Sequence, residues 1–112
     1  MFQNLEVYGE AKVLHRDVYN LTSKFPKSIE YLTLQLRRAA LSIVLNIAEG
    51  SAKSSKKDFN RFIQVSLGST YEVMAGLEIA EDITGKKLEK LVNSCTNLRN
   101  GLGALSKHLS SH

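Results

Sequence analysis

The sequence predicts an all-α protein, an antiparallel up-down-up-down four-helix bundle, and three observations carry that prediction. Apolar residues recur at helical spacing along nearly the whole chain, and no segment sustains the alternation that marks a strand. The single proline, Pro26, and two glycine-containing breaks, at Gly50 and at Thr84-Gly85, separate the periodic segments. The connections are short, and short connections force successive helices to lie antiparallel.

The first helix is expected over about 5–24. Val7, Ala11, Leu14, Val18, Leu21 and Phe25 form one apolar stripe on it. Pro26 ends it, because its ring removes a donor and disfavours helix at the preceding residue. The second helix is expected over about 28–49. Ile29, Leu32, Leu36, Ala39, Ile43 and Ile47 share a face, and Leu34, Leu41 and Leu45 lie nearly opposite. Tyr31, Gln35, Arg38, Ser42, Asn46 and Glu49 fill only a narrow polar arc. A helix apolar nearly all round is buried nearly all round. A small bundle covers one face of each helix, so the second leucine face calls for another subunit.

Gly50 reads as the C-terminal stop of the second helix. Ser55-Lys56-Lys57-Asp58 then has the spacing of a capping box, and the third helix is expected over about 55–83. Its core face is Phe59, Phe62, Ile63, Leu67, Met74, Leu77 and Ala80. Ser66, Gly68, Ser69, Ala75 and Gly76 are small enough to let a neighbouring backbone approach. The fourth helix is expected over about 86–109, with Leu88, Leu91, Cys95, Leu98, Leu102, Leu105 and Leu109 as a seam suited to an antiparallel bundle. The 112 residues suffice for a single four-helix domain with one real core.

Composition excludes several classes of function. No apolar run is long enough to span a membrane, and the first residues, MFQNLEVYGEAKVLH, lack the pattern of a secretory signal. One cysteine, Cys95, cannot form an internal disulfide, which suits the reducing cytoplasm. It falls on the apolar seam of the fourth helix, where a free cysteine acts as a small apolar residue. His15, His108 and His112 form no metal motif, no phosphate-binding glycine loop occurs, and no nucleophile stands beside a base. The chain therefore reads as non-enzymatic and free of cofactors and metals.

The net charge of +4 is unevenly spread. Residues 24–61 hold eight Lys and Arg against Glu30, Glu49 and Asp58, so the rest of the chain is close to neutral. Such asymmetry favours an anionic partner, most simply nucleic acid. Lys53, Lys56, Lys57 and Arg61 crowd the start of the third helix, where unpaired N–H groups and the dipole already favour anions. A phosphate backbone held there would be bound without sequence specificity. Tyr31 and Phe2 are the aromatic residues available to stack on bases, short of a full stacking platform. An acidic protein docking on the same turn is the alternative. Glu49, in the last turn of a helix, opposes the dipole. It is expected to pair with Arg37 or Arg38, from its own chain or from another subunit.

The blocks Gln35-Leu36-Arg37-Arg38-Ala39-Ala40-Leu41-Ser42-Ile43, Asn46-Ile47-Ala48-Glu49-Gly50, Ser55-Lys56-Lys57-Asp58-Phe59 and Arg61-Phe62 carry a family resemblance. Together they resemble the bacterial four-helix bundle proteins encoded in intervening sequences of large-subunit ribosomal RNA genes. That family is itself similar to the accessory protein of diversity-generating retroelements. The resemblance implies an up-down bundle that assembles as a ring-like homopentamer, with no enzyme activity and no cofactor. From the retroelement relatives it implies a basic surface for RNA or DNA, expected here at Arg37, Arg38, Lys53, Lys56, Lys57 and Arg61, and a reverse-transcriptase partner. Arg37, Arg38, Asn46, Glu49 and Gly50 match the motif, and Lys56, Lys57 and Arg61 its basic continuation. One departure stands out. Many members have a proline and a small residue where this chain has Val44 and Leu45, so the second helix should run unkinked, with Leu45 adding apolar surface.

Overall fold

A computed structural model describes residues 5–111. Four helices follow one another, α1 (Glu6–Thr22), α2 (Glu30–Ser51), α3 (Lys56–Thr84) and α4 (Glu89–Ser110), with one 3-10 turn at Lys27–Ile29 leading into α2. Among the described residues there is no strand. Each helix packs on two neighbours, α1 on α2 and α4, and α3 on α2 and α4, with no diagonal contact. The result is an elongated all-α bundle of 47 × 19 × 19 Å. No helix is long and apolar enough to cross a membrane among the described residues.

The apolar stripes of the four helices meet on the bundle axis. Leu14, Leu36, Ile43, Ile47, Ile63, Leu77, Leu98 and Leu102 are its largest fully buried side chains. The leucine face of α2 is left bare: Leu34, Leu41 and Leu45 are 58%, 43% and 54% exposed. α2 runs unbroken through Val44 and Leu45.

The small residues of α3 divide into two groups. Ser66, Ser69 and Gly76 face α2, and Ser66 Oγ donates to the Ile43 carbonyl at 3.0 Å, an approach to backbone that a larger side chain would prevent. Ser69 Oγ donates to Ser42 Oγ at 2.9 Å. Gly76 lies under a side chain, since a Cβ there would stand 2.5 Å from Leu36 Cδ2. Gly68 and Ala75 face outward. Buried Thr70 and Val73 complete a core face wider than the apolar spacing alone indicates. The Thr70 hydroxyl donates to the Ser66 carbonyl at 2.8 Å, so its burial leaves no polar atom unpaired.

Helix ends differ from the sequence expectation in four places, the first being the start of α2, where a 3-10 turn over Lys27–Ile29 delays the α-helix to Glu30. Gly50 does not stop α2. It is helical and buried, and the helix passes through it to Ser51 with Ala52 as C-cap. Its role is contact: a Cβ would fall 2.7 Å from Phe62 Cβ and 3.2 Å from the Phe59 carbonyl. α1 ends at Thr22, where Arg37 reaches across from α2. Arg37 Nε donates to Thr22 Oγ1 (2.8 Å), and its Nη2 donates to the Tyr19 carbonyl (3.3 Å) and to Ser23 Oγ (3.1 Å). α4 begins at Glu89, because the Leu88 N–H is taken by Glu81 Oε2 at 2.7 Å and Leu88 stays outside helical dihedrals. The break at Thr84-Gly85 stands as expected, with Gly85 left-handed at φ 73° and its N–H donating to the Glu81 carbonyl.

Candidate nucleic-acid interface

The site is built where α2 hands over to α3. After Ser51 the chain makes a single turn, closed by Lys53 N–H donating to the Gly50 carbonyl at 3.0 Å. Ser55 then caps α3, its Oγ accepting from the Asp58 N–H at 3.1 Å. This is the serine half of the expected capping box. The Asp58 carboxylate turns instead to Arg61, 3.6 Å away. Because Gly50 lacks a Cβ, the first turns of α3 close onto the end of α2 and bring Phe62 to the base of the turn.

Phe62 organises the cations around it. Lys53 Nζ lies 5.0 Å from the centre of its ring and Arg61 Cζ 5.4 Å. Both are within cation–π range. The ring holds two charges near each other without neutralising either. On the other side of the helix start, Lys56, Lys57 and Asn60 face Ser110 and Ser111 of the α4 end across a shallow hollow of about 440 Å³. All four cations are exposed. Asp58 is their one ion-pair partner among the described residues, and that pair is itself half exposed and weak.

Arg37 and Arg38 lie elsewhere. They precede Ser51 by some four turns of α2, about 20 Å at the helical rise. Arg37 is committed to the end of α1 and stacks 4.2 Å over Tyr19. Arg38 is exposed on the outer side of α2, beside the leucine face. The structure therefore gathers Lys53, Lys56, Lys57 and Arg61 into one patch and separates both arginines from it. Phe2 and His112 lie outside the described residues. Tyr31 is exposed near the start of α2, at the opposite end from the patch.

Glu49 is exposed, and neither arginine can reach it within the chain. Arg38 and Glu49 sit on the same helix eleven residues apart, about 16 Å along the axis. The expected pair within one chain is therefore not formed. Sequence reasoning missed the role of Phe62 and the hollow at Asn60, Ser110 and Ser111. The first was detectable: a glycine within a helical apolar pattern, followed by an aromatic pair at i, i+3, signals a close helix contact.

Two further ionisable groups are shifted by their surroundings. Cys95 is fully buried, and burial pushes its thiol up to about 11, which keeps it neutral and unreactive at ordinary pH. Glu10 is raised above the usual carboxylate range by partial burial and then by Glu6. Among the described residues no three His, Cys, Asp or Glu converge as metal ligands.

The family model for the 23S rRNA-intervening sequence protein matches residues 3–104. The chain belongs to that family. A similar solved structure is a protein of unknown function from the S23 ribosomal protein family of Bacteroides thetaiotaomicron. It shares 21% identity with this chain at a TM-score of 0.82, covering 96% of this chain and 99% of that one. At that identity the likeness establishes the fold. No curated protein matches the chain.

Proposed function

We propose that the protein is a non-enzymatic, oligomeric accessory module that binds nucleic acid through Lys53, Lys56, Lys57 and Arg61. The observation that carries this reading is the convergence of four exposed cations, with a single weak acidic partner, at the start of a helix. Phosphate backbones are the natural counterpart of such a patch, and the affinity is sequence-independent. If four phosphates are contacted, affinity for duplex DNA falls about 150-fold between 50 and 200 mM salt, a log–log slope of about −3.6. Anisotropy titrations with a labelled duplex and a labelled single-stranded RNA measure it. Changing all four residues to alanine should abolish the salt-dependent binding. No binding of either probe at the low-salt end would overturn the reading, and an acidic protein partner would then be the better one.

Assembly rests on separate residues. We place the subunit face on α2 at Leu34, Leu41 and Leu45, with Glu49 meeting an arginine of the neighbouring copy. Three exposed leucines on one side of α2, with Arg38 beside them, are the support, since large apolar side chains grouped on one exposed face mark interaction surfaces. A homopentamer is the form the family resemblance implies. Leu41→Glu should reduce the mass measured by light scattering to that of a monomer while leaving the helical circular dichroism intact. A wild-type monomer at micromolar concentration would defeat the assignment.

A further inference from the structure

At the end of the bundle far from the basic patch, α1 turns into α2 and α3 into α4. The two connections enclose a recess of about 330 Å³. Leu21, Phe25 and Pro26 form one wall, and Ile83 and Leu88 the other. The only charged residues lining it are two lysines, Lys24 from the first connection and Lys86 from the second. We propose that this recess binds a medium-chain aliphatic carboxylate, its tail against the apolar walls and its carboxylate between the two ammonium groups.

Size, charge and rigidity favour that occupant. The volume lies at the small end of ligand pockets, and at about 30 Å³ for each water-sized group it takes roughly eleven of them, close to octanoate. Neither lysine forms an ion pair among the described residues. Glu81, the carboxylate bonded within the second connection, has Oε2 committed to the Leu88 N–H at 2.7 Å. A cationic amphiphile would be repelled, and an uncharged one would leave both ammonium groups unused. Both connections are stiff. Pro26 fixes one, at φ −67°, and Gly85 turns the other left-handed while the Lys86 N–H donates to Thr84 Oγ1 at 3.3 Å. A preformed cavity spends little of the ligand's binding energy on ordering itself.

The apolar walls are also unfinished as core. Ile83 is 48% exposed although it stands in a concave surface, and Leu21, Phe25 and Leu88 are only partly buried. An acyl tail would remove this surface from water, which is the driving force for binding. The recess shares no residue with the nucleic-acid patch, so the two proposals stand or fall separately.

The test is an amide chemical-shift titration of the full chain with octanoate, octylammonium and acetate. Octanoate should shift Leu21, Phe25, Ile83 and Leu88 saturably, while octylammonium and acetate should leave them in place. Lys24→Gln combined with Lys86→Gln should weaken octanoate binding about tenfold or more, as expected for the loss of charge-assisted bonds. Both lysines are exposed, so the variant keeps its fold. Equal binding of octylammonium, unchanged affinity in the double variant, or no shift at millimolar octanoate would each overturn the assignment.

Discussion

Gly50→Ala should destabilise the bundle by about 1–2 kcal/mol, although alanine is the better helix former by about 1 kcal/mol. The reason is the absence of room. The added Cβ would stand 2.7 Å from Phe62 Cβ, 3.1 Å from Phe59 Cδ1 and 3.2 Å from the Phe59 carbonyl. Two of those atoms are a side-chain root and backbone, neither of which can rotate away. α3 must therefore back off from α2 along its first turns. Thermal denaturation should show a fall of several degrees, at about 4 °C or more per kcal/mol for a domain near this size. Gly68→Ala supplies the control. Its Cβ would meet nothing within 4 Å, so the same substitution in mid-α3 should raise stability by up to about 1 kcal/mol. Equal gains at both glycines would show that the α2–α3 contact is loose. Because Phe62 supports Lys53 and Arg61, Gly50→Ala should also weaken any nucleic-acid binding more than Gly68→Ala does.

Helical period made most of the bundle legible. The expected apolar stripes lie on the core except at Phe62, which stands half-buried outside it at the α2–α3 turn, and the leucine face of α2 is bare in the single chain. What the period could not give is what a residue meets across the bundle. Gly50 reads locally as a stop, yet it continues α2, because an aromatic pair from α3 needs the space its side chain would occupy. Arg37 reads as a candidate partner for Glu49, yet it is held by the end of α1 through Thr22, Tyr19 and Ser23. α4 starts three residues late because a carboxylate seven residues upstream captures the Leu88 N–H. In each case the deciding partner sits on a different element, beyond the reach of a local pattern. The basic turn was legible as charge, and the ring beneath it was not, since cation–π contact depends on how α3 is set against α2.

Leu36 and Gly76 should couple strongly, and with a definite sign. Leu36 is 1% exposed, and its Cδ2 would lie 2.5 Å from a Cβ on Gly76. Leu36→Ala removes buried methyl groups and leaves a cavity, a loss of about 2–5 kcal/mol. Gly76→Ala forces the leucine from a rotamer it cannot easily leave inside a packed core, a loss of about 1–3 kcal/mol. In the double variant the new Cβ enters the space that the leucine vacated, so each change removes part of the other's cost. The double variant should therefore be more stable than the sum of the single losses by about 0.5–3 kcal/mol, the range for residues in direct contact. Urea denaturation of the four proteins gives the cycle directly. Additivity within about 0.5 kcal/mol would mean that α2 and α3 can shift apart at this level without strain, and that the close approach of the two helices is set at Ser66 and Gly50 instead.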